Sequence, residues 1–378
     1  MKKIVFVIES LHLGGAEKSL ITLLQHLDYQ QYDVSLILFN TGGLFLNQVP
    51  SEVHIIQKST PQLSILSRLY YKISRKLKRA TYHNAQLFWP LIKKEFVLET
   101  INYDVGIAYN QGLVSYYVAD FIKATKKYAW LNTDYKKAGY NIHFDYPFYE
   151  KFDKIIAVST EAKSSLANEL QKVQKEVPIV IIKDITDKKR VTDLGNKKQE
   201  VSFASNKLNI VTIGRLAKPK GLDLAIASCK ILIDKGYAVN WYVVGEGGER
   251  EYLENLIKGN QLSATFFLLG ATENPYTYMK NCDIYVQTSL FEGLGLTVIE
   301  ASYLNKPIVA TNFDTIYGII QDEETGLIAQ MNPESIASKI ERLILEESLR
   351  TSFSNNLAKL ENKDKEESLQ KINKLLNT

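Results

Sequence analysis

Short apolar runs alternate with amphipathic segments along almost the whole chain. KIVFVIE is followed by GGAEKSLITLLQHL and then DVSLILFN; further on come YDVGIAYN, KKYAWLN, FDKIIAVS and VPIVIIK, with amphipathic stretches such as Glu161–Leu170 between them. The pattern restarts with LNIVTIG, VNWYVVG, ATFFLLG, CDIYVQT and KPIVATN, each separated from the next by one helix-length segment. Uniformly apolar runs of this length fit strands buried on both faces, and the regular alternation with helices fits parallel sheets covered on both sides. The prediction is an α/β protein of two doubly wound, Rossmann-like domains. The polar, aperiodic stretch Asp184–Lys207 is the predicted linker. The domains expected are therefore residues 1–183, residues 184–352, and a charged, helix-patterned segment 353–378 that either docks back on the first domain or frays.

Composition narrows the class. A chain of 378 residues is too long for one ordinary core, and 45% hydrophobic with 23% charged residues is the profile of a soluble globular protein. The first apolar run meets Glu9 too early for a signal peptide, and no run reaches the roughly 18 apolar residues of a spanning helix, so a cytoplasmic location is expected. Only Cys229 and Cys282 are present, each in an apolar context, which offers no disulfide framework. The net charge of +4 is uneven: Met1–Lys183 carries 23 Lys and Arg against 16 Asp and Glu, a balance of +7, and the remainder carries 23 against 26. Only the first half is drawn to an anionic surface.

In doubly wound sheets ligands bind beyond the carboxyl ends of the strands, and two such domains place the expected site in a cleft between them. Four loops follow strands and could carry chemistry. In ESLHLGGAEKS, Gly14 and Gly15 let the backbone approach a ligand ahead of a helix N-terminus, although a tight strand–helix turn explains them equally. In TIGRLAKPKGLDLAI, Arg215 can fork onto phosphate oxygens and Lys220 adds a mobile charge, unless both are solvated surface cations. In VVGEGGER, the glycine-rich turn at Gly245 and Glu246 either faces a nucleoside or is only a turn. The fourth loop, in SLFEGLGLTVIEASYL, puts Glu292 in a bend and Glu300 in an apolar helix, with the N–H groups near Gly295, Leu296 and Thr297 between them. A helix N-terminus there favours a phosphate, so one carboxylate could hold a sugar and the other a ribose. A structural reading makes Glu300 a structural cap or ion-pair member and Glu292 exposed; a carboxylate inside LTVIEASYL needs some partner in either case.

Taken in order, GRLAKPKGLDLAI, VVGEGGER and SLFEGLGLTVIEASYLNKPIVAT, together with IESLHLGGAEKSL, resemble the GT-B glycosyltransferases of family 4. The resemblance covers nearly the whole chain, most closely from Asn209 to Leu327 and least from Thr60 to Asn102. Its specific part is the E-x7-E pair in context. It implies that Glu300 binds the ribose of a nucleotide sugar and Glu292 the sugar hydroxyls. Arg215 and Lys220 would bind the diphosphate and stabilise the departing nucleotide, assisted by the backbone at Gly295, Leu296 and Thr297. Gly14 and Gly15 would face the phosphate from the other domain, and Gly245, Glu246, Gly270 and Gly293 would complete the donor side. Such enzymes retain anomeric configuration and need no metal or other cofactor; consistently, no D-x-D string occurs. Fixed cations and helix N–H groups would act on the charge that develops as the glycosyl–phosphate bond breaks. The sequence departs from the family at Asn132, where a histidine is common: asparagine still hydrogen-bonds but cannot titrate. Either donor recognition differs, or Asp134 or His12 takes part of that role.

Between Glu52 and Glu95 there are nine basic residues and no acidic one. SRLYYKISRKLKRATYHN places Leu66, Leu69, Ile73 and Leu77 near one helical face, with Arg68, Lys72, Arg75, Lys76, Lys78 and Arg79 around it. That is the profile of a helix in an anionic membrane interface, or of a solvated face packed on the first domain. No nucleic-acid motif accompanies the charge. The reading is a retaining, hexosyl-type glycosyltransferase acting on a lipid-linked glycan acceptor in surface (capsular or exo-) polysaccharide assembly, peripheral at the inner face of the cell membrane. The alternatives are a nucleotide-sugar epimerase of the same fold and a nucleotide-sugar-binding partner subunit with impaired catalysis.

Overall fold

The computed structural model describes residues 1–378 except Leu13, Thr41, Arg79, residues 198–202 and Thr378. Two compact units form, one from Met1–Ile185 with Asp364–Thr378 and the other from Thr186–Lys363.

The first unit is built on a seven-stranded sheet of β1 (Lys2–Ile8), β2 (Tyr32–Leu38), β3 (His54–Gln57), β4 (Asn102–Ala108), β5 (Lys123–Leu131), β6 (Lys154–Ala157) and β7 (Ile179–Ile181), in the order β3-β2-β1-β4-β5-β6-β7. All pairings are parallel; Ile4, for example, stands against Val34 on one side and Val105 on the other. Residues Ile4 to Ile8 are completely buried because helices cover both faces of this central strand. The edge strand β3 escaped the pattern reading because it is only HIIQ, largely exposed and without a buried run.

The second unit carries a six-stranded parallel sheet of β8 (Leu208–Ile213), β9 (Val239–Val244), β10 (Phe266–Gly270), β11 (Ile284–Gln287), β12 (Ile308–Thr311) and β13 (Leu327–Ala329), in the order β10-β9-β8-β11-β12-β13. Every residue of β9 is buried. Ala225, Ser228, Cys229 and Leu232 of the helix Leu222–Asp234 are also buried, and Ser228 Oγ lies 3.1 Å from the carbonyl of Pro333 at the start of the helix Pro333–Leu345. Both cysteines are buried free thiols.

The stretch Asp184–Lys207 is not uniformly a linker. Asp187 accepts from the Arg190 N–H at 3.1 Å and caps a helix, Lys188–Gly195. Its apolar stripe is too short to show as periodicity, but Val191 is buried and a Cβ at Gly195 would lie 3.0 Å from Leu304 of the same unit. The segment 353–378 likewise differs from the single tail expected. The helix Glu347–Ala358 stays with the second unit, and the helix Asp364–Asn377 belongs to the first. Ile372 and Leu376 are buried there, Lys2 Nζ donates to the Leu376 carbonyl at 3.0 Å, and Lys183 pairs with Asp364 at 2.8 Å. Lys359, Leu360, Glu361, Asn362 and Lys363 connect these helices, and the one apolar residue among them, Leu360, is exposed.

In each unit the sheet grows first to one side of its initial strand and then to the other. The reversal falls between β1 and β4 in the first unit and between β8 and β11 in the second. In an open α/β sheet the carboxyl ends of the strands at such a reversal are the usual place for a ligand.

Candidate functional site

At the second unit's switch point the loops after β8 and β11 are stitched backbone to backbone. Leu290 N donates to the Pro219 carbonyl at 2.8 Å, and Thr288 Oγ1 donates to the Lys220 carbonyl at 2.9 Å. Gly221, with φ +55°, ends the short turn Lys218–Lys220; a Cβ there would lie 2.2 Å from the Thr288 carbonyl oxygen. Only glycine permits both that backbone and that approach. The stitching delivers Lys220 Nζ to 2.6 Å from Glu292 Oε1, with side chains 18% and 14% exposed. Two residues expected from sequence to hold opposite parts of one ligand thus meet. Ser289, which the sequence reading passed over, donates to the same Glu292 oxygen at 2.6 Å.

Gly295 adopts φ +86° and starts the helix Leu296–Tyr303, whose N-terminus has no side-chain cap. Leu296 and Thr297 are half-buried there, and Gly293 is buried in the bend before them. The first-turn N–H groups and the positive end of the helix thus begin within four residues of Glu292, and Thr297 Oγ1 donates to Gln287 Oε1 at 3.2 Å. Glu300 is fully buried, with Oε1 accepting from Tyr276 OH at 2.9 Å. Tyr276 is the partner that a carboxylate in this apolar helix requires, and its burial is why pattern reading could not single it out. Burial raises the pKa of the Tyr285 hydroxyl, and the charges of Glu300 and Glu292 add smaller increases.

Arg215 is exposed in the loop after β8. In the loop after β9, Arg250 hydrogen-bonds the Glu246 carboxylate, holding it below the usual range, and Arg250 also pairs with Glu254. Gly245 and Gly270 have a packing reason to be glycine. Gly245 N donates to the Gly270 carbonyl at 2.8 Å, and a Cβ on Gly245 would lie 1.9 Å from the Gly214 carbonyl oxygen. The ends of β8, β9 and β10 meet there backbone to backbone.

In the first unit, Gly14 caps the helix Gly15–Leu24. The Glu17 carboxylate folds back over it, its Oε2 lying 1.9 Å from where a Gly14 Cβ would stand. A side-chain anion therefore already sits at this helix N-terminus. Asn132 follows β5, and its N–H donates to Gln111 Oε1 at 3.0 Å. Asp134 Oδ1 accepts from Ser165 Oγ at 2.6 Å and from the Lys137 N–H at 2.8 Å. His12 is exposed. Asp184, assigned from sequence to the linker, is instead buried beside Ser19 and Asn132. Burial pushes its carboxyl up to about 7, Ser19 and Asn132 pull it back, and Glu17 adds to the rise.

The helix Ile65–Lys78 is turned opposite to a helix that buries its apolar stripe. Ser74 is buried and Tyr71 packs on Phe88 at 5.3 Å, whereas Leu66, Leu69, Ile73 and Leu77 are 50–80% exposed. Arg68, Lys72, Arg75, Lys76 and Lys78 are exposed around them; Arg79 lies outside the described residues. Among the described residues no helix is long and apolar enough to cross a membrane.

Residues 195–360 match the family described as "Glycosyl transferases group 1", a span lying within the second unit. An uncharacterized glycosyltransferase of Haemophilus influenzae is 26% identical over 88% of this chain and 87% of that protein. The N-acetylgalactosamine-N,N'-diacetylbacillosaminyl-diphospho-undecaprenol 4-alpha-N-acetylgalactosaminyltransferase of Campylobacter jejuni is 26% identical over 94% and 93%. A capsular polysaccharide biosynthesis glycosyltransferase of Staphylococcus aureus is 33% identical over 40% of each chain. Among solved structures, Anabaena Alr3699/HepE in complex with UDP and glucose superposes with a TM-score of 0.73 at 17% identity, covering all of both chains. With two parallel-sheet units of this topology and the group 1 match across the second, the chain has the GT-B fold, and its second unit matches the glycosyl transferases of group 1.

Proposed function

We propose that the protein moves a hexose-type sugar, with retention of configuration, from a nucleoside-diphosphate sugar to a hydroxyl of a lipid-linked glycan in surface-polysaccharide assembly. The observation that carries this reading is the Lys220–Glu292 pair, at 2.6 Å, beside the uncapped N-terminus of Leu296–Tyr303. A cation and helix N–H groups suit a diphosphate leaving group, while the adjacent carboxylate suits sugar hydroxyls. Arg215, in the same loop as Lys220, supplies a second cation, so the diphosphate charge is met without a metal. Glu300 takes the ribose. Support for the donor comes from the HepE structure, whose ligands are UDP and glucose, and support for a lipid-linked acceptor from the Campylobacter relative, whose name specifies a diphospho-undecaprenol substrate and an α product.

The acceptor's membrane is met by the helix Ile65–Lys78, whose exposed leucines and isoleucine would enter the interface while its cations meet anionic headgroups. Replacing Arg75, Lys76 and Lys78 together by Gln should abolish co-sedimentation with phosphatidylglycerol vesicles; undiminished co-sedimentation refutes this part.

The reaction is tested by thermal shift against UDP-, GDP-, dTDP- and ADP-sugars, followed by stereochemical analysis of the product formed with the donor that binds. Slow hydrolysis of that donor by the pure protein supports a transferase. Interconversion of sugar isomers without acceptor points instead to an epimerase, and binding with no turnover points to a partner subunit, the reading that Asn132 favours. An inverted product overturns retention.

A further inference from the structure

We propose that Gln287 is a positioning residue that holds Glu292 in place for the donor sugar independently of Lys220. The inference rests on the donor site proposed above. Gln287 is the last residue of β11 and is fully buried, and a buried side-chain amide is costly unless its groups are paired. The hydrogen-bond directions around it follow from Glu292 outward. An ionised carboxylate only accepts, so Ser289 Oγ must spend its one hydrogen on Glu292 Oε1, at 2.6 Å. Ser289 Oγ then accepts from Gln287 Nε2 at 2.7 Å, and the same amide nitrogen approaches Glu292 Oε1 at 3.4 Å. With the nitrogen on that side, Gln287 Oε1 faces the other way and accepts from Tyr285 OH at 2.7 Å and Thr297 Oγ1 at 3.2 Å. Tyr285 and Ser289 are themselves fully buried, and Thr311 Oγ1 fixes the Ser289 carbonyl at 2.6 Å.

Two properties emerge. Lys220, Ser289 and Gln287 all address Oε1 of Glu292, which leaves Oε2 to meet a sugar hydroxyl. When Lys220 swings to a diphosphate, Ser289 and Gln287 still hold the carboxylate. Thr297 belongs to the first turn of the helix proposed to take the phosphates, so one buried amide ties the phosphate end of the donor site to its sugar end.

The test uses Gln287→Met and Ser289→Ala in the full-length protein. Gln287→Met keeps the length of the side chain but removes the N–H groups that address Ser289 and Glu292, so Glu292 loses its support from residue 287. The readout is the ratio of dissociation constants for a bare nucleoside diphosphate and its glycosyl ester, measured with whichever member of the nucleotide-sugar panel the parent binds. Both variants should bind the bare diphosphate within about threefold of the parent, while the preference for the sugar ester falls about tenfold or more. Lys220→Ala should weaken both ligands and leave the ratio unchanged. A ratio within twofold of the parent in both folded variants overturns the inference and leaves the proposed function standing. A parent that binds no nucleotide sugar overturns the proposed function and this inference together. Loss of a cooperative melt in both variants would make the network a folding element, and the positioning role would fall.

Discussion

The Lys220–Glu292 contact can be weighed by a double-mutant cycle. An exposed ion pair contributes about 0–1 kcal/mol, and breaking a fully buried one costs about 3–5 kcal/mol. Here the side chains are 18% and 14% exposed, which places the pair nearer the buried limit. Ser289 still donates to the Glu292 oxygen once the lysine is gone, which lowers the cost. Lys220→Ala should therefore destabilise the second unit by about 2 kcal/mol, a fall in Tm of roughly 4–8 °C for a unit of this size. Glu292→Gln should cost about 1 kcal/mol, because an amide oxygen can still accept from both Lys220 and Ser289. In the double variant the effects should fail to add by about 1–1.5 kcal/mol. Urea is the proper denaturant, since guanidinium would screen the pair. The chain has three tryptophans, Trp89 and Trp130 in the first unit and Trp241, fully buried, in the second. In a Trp89→Phe, Trp130→Phe background, fluorescence then reports the second unit alone. Most of the coupling should survive 0.5 M NaCl, because salt screens a mostly buried pair weakly. A coupling below about 0.3 kcal/mol, or one abolished by salt, would show that the contact is a surface encounter and remove the argument for a prepared site.

Three further predictions concern other parts of the molecule. Gly221→Ala puts a Cβ 2.2 Å from the Thr288 carbonyl oxygen at φ +55°, so it should cost more than about 2 kcal/mol in urea unfolding and displace Lys220; a parent-like midpoint refutes the account of the stitched loops. Burial pushes the Asp145 carboxyl up to about 6, although Tyr116, Gln86 and Tyr135 hydrogen-bond it and pull it back. Its folded pKa lies above the unfolded value near 4, so the folded state binds the extra proton. The contribution is complete below pH ~4 and is lost as pH rises through ~6, an effect of about 3 kcal/mol. Asp145→Asn, which stays neutral, should flatten that part of the first unit's stability profile, and an unchanged slope between pH 4 and 6 would contradict it. Glu300→Gln should weaken donor binding about tenfold in titration calorimetry, whereas Tyr276→Phe should chiefly lower stability, by about 1 kcal/mol; the reverse assignment would make Glu300 structural.

The architecture was legible because strands buried on both faces leave continuous apolar runs, as in Ile4–Ile8 and Val239–Val244. Elements without such a face were not legible: β3 is exposed, β13 is three residues long, and the helix Lys188–Gly195 buries only part of one side. The meeting of Lys220 with Glu292 could be anticipated, since both loops leave strands at a switch point. Its depth could not, because nothing in VQTSLFEG reveals that Gln287 and Ser289 point inward at the carboxylate. A polar residue closing an apolar strand was the available signal. Asp184 was missed for a related reason: polar neighbours in sequence disguised a side chain that the fold buries. The arginine that pairs with Glu246 from one helical turn away could not be read from the glycine-rich setting.

The helix Asp364–Asn377 is separated from the rest of its unit by the whole of the second unit, yet it covers the start of β1 and supplies the Leu375 carbonyl that Tyr128 OH addresses at 3.3 Å. During synthesis, then, the half that emerges first must wait for its last piece. At about 5–20 residues per second the ribosome needs some 10–40 s after Ile185 to deliver it. Through that interval the apolar groove meant for Ile372 and Leu376 stays open to chaperones, and a fragment ended at Ile185 would never close it.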